Sequence, residues 1–418
     1  MGVVKNRVLC VLVLAGMAAA LGLAFLTHAP NRLVSGTPIS LAQVLRSADG
    51  VQAEQAGAWL PAGLAGFAAS VGLASLCLVA GIFIRPGRRT HLGLAVAATL
   101  LLTGLVGLAA HHAALLAPTG ASAPPGIART AFGGAFWCLT ALSWLAATDA
   151  LRQLALRPLW RLLAGLAVLA PALALMATGA LAPLSLFREY ANRQDVFNAA
   201  LAQHVSIVLA SLLPALLIGV PLGMVSVRQD ALRRPLFAVL NIIQTVPSIA
   251  LFGLLMAPLA LLAASVPVLA QWGIKGIGLA PAVVALTLYS LLPVARSTAA
   301  GLGQVPPAVK DAALGMGLSA RQIFWQVELP LALPVFLSGL RVATVQTIGL
   351  AVVAALIGAG GFGAIMFQGL LSGALDLVLL GVVPVVAMAV LVDALLGALS
   401  LALAPEADPT DVKATAHD

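Results

Sequence analysis

Charge is scarce in this 418-residue chain: 9% of it is Asp, Glu, Lys or Arg, where soluble domains carry about 25%. Hydrophobic residues make up 61%, more apolar surface than a soluble fold of this length can hide, so the soluble classes are excluded. Acids are rarer than bases, 14 against 22, and almost none falls inside an apolar run. An ion-coupled secondary transporter needs intramembrane carboxylates or histidines, and Asp393 is nearly alone in offering one. That class is the weaker alternative. Cys10, Cys77 and Cys138 lack ligand spacing and read as small buried hydrophobes. No Gly-x4-Gly-Lys-[Ser/Thr] occurs, so the chain carries no phosphate-cradling loop of its own. No Ser-His-Asp set, paired carboxylates or Asp-rich cluster stands out, which disfavours a membrane enzyme. His28, His111, His112 and His204 lie near the ends of apolar runs without completing a ligand set, so they read as interfacial, and no metal or cofactor is expected. The pI near 10.3 is better explained by membrane topology than by nucleic acid.

What the chain has in abundance is long apolar runs. They are ~20 residues long and lack the alternation of barrel strands, which predicts an all-α polytopic membrane protein. Ten spans are expected: 8–26, 60–84, 91–116, 131–150, 162–183, 203–227, 236–262, 279–299, 335–357 and 376–404. Lys5 and Arg7 precede the first. Arg85, Arg88 and Arg89, then Arg152, Arg157 and Arg161, then Arg228, Arg233 and Arg234, then Arg296, Lys310 and Arg321 occupy alternate connections. All fall on one side if ten spans are right, and the positive-inside rule makes that side cytoplasmic, with both termini. Opposite loops are nearly balanced, with Arg32, Arg46, Asp49 and Glu54 in the first and Arg188, Glu189, Arg193 and Asp195 in the third. The first run, about 19 apolar residues, exceeds the ~7–15 of a signal h-region and reads as a retained span. The polar stretch 186–202 divides residues 1–194, with five plain spans, from residues 195–404, which hold the distinctive sequence. The tail 405–418 reads as disordered.

One long segment is amphipathic, 306–334. Pro306 and Pro307 suit a helix start, Gly317 a left-handed helix end, Ser319 with Gln322 a capping box, and Pro330 a stop. A polar helix–bend–helix between spans suggests a docking surface for a soluble partner. Asp311 to Gly317 contains no Lys or Arg, unlike a helix lying on anionic lipid.

Asp311-Ala312-Ala313, Gly317 and the closing Leu329-Pro330 resemble the cytoplasmic Glu-Ala-Ala loop of ABC importer permeases, with Asp for Glu at the first position. Residues 241–251 and 354–363 resemble the subclass that imports glycine betaine, choline, carnitine or proline betaine. The resemblance covers about half the chain. It implies a type I permease core of five spans in the cell inner membrane, moved by separate ABC ATPase subunits that grip the loop. It also implies a second permease subunit, identical or similar, and an extracytoplasmic solute-binding protein. In this picture Asp311, Ala312, Ala313, Gly315, Gly317, Leu329 and Pro330 form the ATPase-coupling element. Another small solute, such as an amino acid, fits a similar scaffold. Trimethylammonium groups favour aromatic cages, and the chain has two tyrosines and few aromatics in its polar stretches, so substrate choice would lie mainly on the binding protein.

Mid-span polar residues mark either a water-filled path or bonds between helices. Gln244, Thr245, Pro247 and Ser248 in span seven, Tyr289 and Ser290 in span eight, and Gln346 and Thr347 in span nine are the path candidates. Asp149, Arg296 and Arg341 are expected to snorkel from span ends. Gly358, Gly360, Gly361, Phe362 and Gly363 have the spacing of a dinucleotide loop but no strand before them. They read as a hairpin or helix break at the outer end of span nine, a candidate outer gate.

Overall fold

The computed structural model describes residues 5–30, 36–49, 60–116, 128–271 and 273–403, and the chain divides into two compact units, Met1–Arg193 and Gln194–Asp418. The disorder expected for 405–418, and Arg32 and Glu54, lie outside the described residues.

The first unit contains α1 (Arg7–Gly22), β1 (Leu26–Ala29), β2 (Thr37–Ile39), α2 (Leu41–Asp49), α3 (Leu60–Phe83), α4 (Arg88–Leu115), β3 (Arg129–Phe132), α5 (Gly134–Gln153), α6 (Pro158–Ala177) and α7 (Ser185–Asn192). The Asn6 side chain caps α1 by accepting from the Leu9 N–H at 3.0 Å. That helix is 16 residues long, shorter than the run that predicted it, because its last apolar residues turn into β1. A small antiparallel sheet, ordered β2-β1-β3, supplements the helices, with Leu26 opposite both Ile39 and Phe132. Gly133 is required where β3 meets α5, since a Cβ there would lie 2.2 Å from the Ala24 carbonyl oxygen. Phe25, Leu26, Leu105, Leu108, Phe136 and Leu184 form the core beneath this sheet. The Phe132 and Phe136 rings stack at 4.0 Å. Cys77 and Cys138 are exposed on helix faces, correcting their reading as buried: a chain solvated by lipid need not hide a small apolar side chain.

The second unit contains α8 (Gln194–Arg228), α9 (Asp230–Thr245), α10 (Ser248–Ser265), α11 (Pro267–Gln271), α12 (Leu279–Gly303), α13 (Pro307–Gly315), α14 (Ala320–Ile323), α15 (Leu329–Val353), α16 (Phe362–Leu371) and α17 (Leu375–Ala402). The expected seventh span is two helices. Val246, the residue before Pro247, is extended, so α9 ends there and α10 begins anew. What remains of span-length helices in this unit is α8, α10, α12, the continuous stretch ending in α15, and α17. Among the described residues nine helices are long and apolar enough to cross a membrane, with α1 and α16 shorter.

Helix α12 packs between α8 and α15 along a seam of small residues. A Cβ on Gly223 would lie 2.6 Å from the Ala295 carbonyl oxygen, and one on Gly339 2.0 Å from Ser297 Cβ. Lipid gives helices no hydrophobic reason to associate, so close backbone approach and van der Waals contact supply the attraction.

Candidate functional site

The segment between α12 and α15 is built from local rules. Pro307 opens α13 with Pro306 as its cap residue. Helix α13 ends in a Schellman turn: Leu318 N–H donates to the Ala313 carbonyl at 3.2 Å, Gly317 N–H to that of Leu314 at 2.9 Å, and Gly317 has φ +81°. Ser319 and Gln322 then form the capping box that starts α14. Pro330 does not stop this arm, contrary to expectation. One π-helical turn, Phe324–Glu328, carries α14 straight into α15. The wider turn lets Leu329 N–H reach back to Phe324 and places Pro330 in the first turn of α15, a position that tolerates proline. Lys310 Nζ lies 2.7 Å from Glu328 Oε1 and ties α13 to the π turn.

The result is a bent lever with a defined face. Ala313 is 1% exposed, buried where α13 packs on α14 and the π turn. Asp311, Ala312, Gly315 and Gly317 are exposed, Pro330 is exposed and Leu329 half-buried. Leu314 and Met316, which sequence reasoning passed over, protrude at 64% and 75% exposure.

At the far end of α15 the chain tightens into a 3-10 turn, Ala354–Ile357, and then a loop in which Gly358, Gly360 and Gly361 have φ of +84°, +78° and +70°. Helix α8 clamps this loop. Gln203 Nε2 donates to the Ala359 carbonyl at 2.7 Å, and its Oε1 accepts from Gly361 N–H at 3.3 Å. His204 is fully buried, not interfacial as expected. Its Nε2 donates to the Ile348 carbonyl at 3.1 Å, and its ring lies 5.6 Å from that of Phe362. His111 and His112 are buried as well, His112 Nδ1 lying 3.2 Å from Ser47 Oγ. A Cβ on Gly363 would lie 2.0 Å from the Val352 carbonyl oxygen, so only glycine fits.

The path candidates divide by where they are held. Pro247 frees the Val246 carbonyl, and the Tyr289 hydroxyl donates to it. Gln244 Nε2 donates to the Tyr289 carbonyl at 2.7 Å, and Ser290 and Thr347 share a 2.8 Å bond between α12 and α15. These four stitch helices together. Thr245 and Pro247 are exposed, and Ser248 and Gln346 half-buried. Arg341 does not snorkel from a span end. It lies mid-way along α15 because the helix starts earlier than its apolar run, and it makes a two-pronged pair with Asp393 of α17, one arm at 2.5 Å. Arg296 donates to Asn241 Oδ1 at 3.1 Å, and Asp149 accepts from Gln153 at 2.8 Å.

Residues 215–405 match the family described as binding-protein-dependent transport system inner membrane component. The osmoprotectant import permease protein OsmW of Salmonella typhimurium is 38% identical over 208 residues, 49% of this chain and 90% of that protein. This chain belongs to that permease family. The choline transport system permease protein OpuBB of Bacillus subtilis is 36% identical, over 49% of this chain and 86% of that protein. The glycine betaine/carnitine/choline permease protein OpuCD of the same organism is 35% identical, over 49% and 82%. Residues 5–187 of the permease match the N-terminal domain described for the ABC transporter permease YehY. An inward-facing MetNI methionine ABC transporter structure is loosely similar, over 51% of this chain and 99% of its own, at 22% identity and TM-score 0.45. The permease is thus a multi-pass membrane transport subunit, with an additional N-terminal unit of its own matched family.

Proposed function

We propose that this permease carries a small quaternary-amine osmoprotectant, of the glycine betaine, choline and carnitine class, into the cell. Supporting the substrate class are the names of the relatives matched over most of their length. Residues 195–404 act as the permease core, working beside a second, identical or similar, permease subunit. An extracytoplasmic binding protein delivers the solute, and separate ABC ATPase subunits hydrolyse ATP. Both termini are cytoplasmic in this reading, which puts the lever of 306–334 on the ATPase side. The observation that carries the coupling role is the lever's exposed tip, Ala312, Leu314, Gly315 and Met316 at the end of α13, which Lys310 ties to a second arm that runs without a break into α15. Two protruding apolar side chains beside small ones suit a pocket on a protein better than water. Ala313 and Gly317 serve the lever's internal geometry, Asp311 flanks the tip, and Leu329 and Pro330 transmit its movement. Thr245, Pro247, Ser248 and Gln346 line the path, while Gln244, Tyr289, Ser290 and Thr347 hold its wall. Gly358, Gly360, Gly361, Phe362 and Gly363 form the outer gate.

The test is Leu314→Lys combined with Met316→Lys. ATP-dependent uptake of labelled glycine betaine in cells is expected to fall by more than about tenfold, the scale on which a few buried apolar contacts at an interface count. Membrane insertion and the melting temperature of the purified permease should stay unchanged, and the ATPase should no longer co-purify. Normal uptake with normal ATPase recovery would refute the docking role.

A further inference from the structure

The N-terminal unit contains a lateral cleft of about 420 Å³ between α1 and α3, floored by α4 and α5. Its two hydroxyl groups are already spent: Ser75 donates to the Val71 carbonyl at 2.7 Å and Ser143 to that of Leu139 at 2.6 Å. The other lining side chains are apolar, so a charged solute finds nothing there to bind. A hydrocarbon chain fits. Along α1 the lining runs from Leu9 to Ala20, a length of about 16 Å at the rise of an α-helix.

Charge at one end narrows the occupant further. The N–H groups of Lys5 and Asn6 donate to the Ile82 carbonyl at 2.8 and 3.2 Å, pinning the start of α1 to the end of α3. This gathers Lys5 and Arg7 beside the α3–α4 turn, which carries Arg85, and the start of α4, which carries Arg88 and Arg89. All five side chains are exposed, and none is in an ion pair found among the described residues. We infer that the cleft is a binding site for one acyl chain of an anionic phospholipid, whose head group sits on this cationic rim. An apolar cleft alone holds no particular lipid, since it is no oilier than the bilayer around it. The rim supplies the preference, because each Lys or Arg at the surface adds attraction for an anionic head group.

The site is tested on the full chain, reconstituted in vesicles of phosphatidylglycerol and phosphatidylcholine in equal amounts, re-extracted in mild detergent, and read by native mass spectrometry. Wild type is expected to retain phosphatidylglycerol in preference to phosphatidylcholine. Gly72 lines the cleft and a Cβ there meets open space, so Gly72→Phe fills the cleft without a clash, and retention should be lost. The surface variant Arg7→Gln with Arg85→Gln leaves the packing intact and should lower the head-group preference roughly tenfold. Undiminished retention by Gly72→Phe, no head-group preference in wild type, or an unchanged preference in the arginine variant would each overturn the site.

Discussion

The two units solve the same problem, holding helices together in lipid, with different materials. The N-terminal unit interlocks large side chains: Phe25, Leu105, Leu108 and Phe136 fill its core, under a sheet and a buried carboxylate. Glu189, 2% exposed, receives Arg129 at 2.6 Å and Arg193 at 3.4 Å. The C-terminal unit instead brings backbones together through Gly219, Gly223, Gly301 and Gly339, and adds single hydrogen bonds such as Ser290–Thr347. Bonds of that kind contribute about 0.6 kcal/mol each in lipid. Interlocked rings resist sliding, whereas smooth small-residue seams let helices shift at low cost. If residues 195–404 are the permease core proposed above, the second material suits a part that must alternate between two arrangements.

Breaking the buried charge centre of the first unit should have the largest effect. Glu189→Ala removes the buried carboxylate that receives Arg129 and Arg193 and is expected to destabilise the unit by about 3–5 kcal/mol, read as a drop in melting temperature. In the C-terminal unit the corresponding change, Asp393→Ala, should cost less, about 1–3 kcal/mol, because its pair with Arg341 is roughly two-fifths exposed rather than buried. If Asp393→Ala proves the more damaging, the contrast between the units reverses. Gln203→Ala removes both bonds from α8 to the glycine loop, at about 1 kcal/mol each, and should change uptake rate more than melting temperature. An unaltered rate would show that the loop is static. The smallest effect is expected of Ser319→Ala, about 1 kcal/mol lost from the lever's second arm, seen as faster hydrogen exchange confined to 319–328.

The lever was the most legible part of the molecule because its signals are local. Pro307 at a helix start, Gly317 at a left-handed end and the Ser319–Gln322 box each act within a few residues, and each is found where its chemistry places it. Pro330 misled for the same reason. A proline stops a regular α-helix, but a π turn shifts the hydrogen-bond register around it, and a residue-by-residue reading does not anticipate that shift. Span seven was misread because hydropathy averages across Pro247, while the chain direction depends on the single residue before it. Leu314 and Met316 were overlooked because in a chain this oily an apolar side chain carries no signal of its own.

Composition and charge placement alone determine that this is a helical membrane protein with a polar lever between two late spans. The reason is that solvation by lipid and local backbone preference act without reference to distant residues. Pairings across the chain belong to the tertiary structure: Arg341 with Asp393, Gln203 with the glycine loop, Glu189 with Arg129, and the burial of Ala313. The bonded partners stand from 52 to 158 residues apart, and only packing decides which of several possible neighbours each meets.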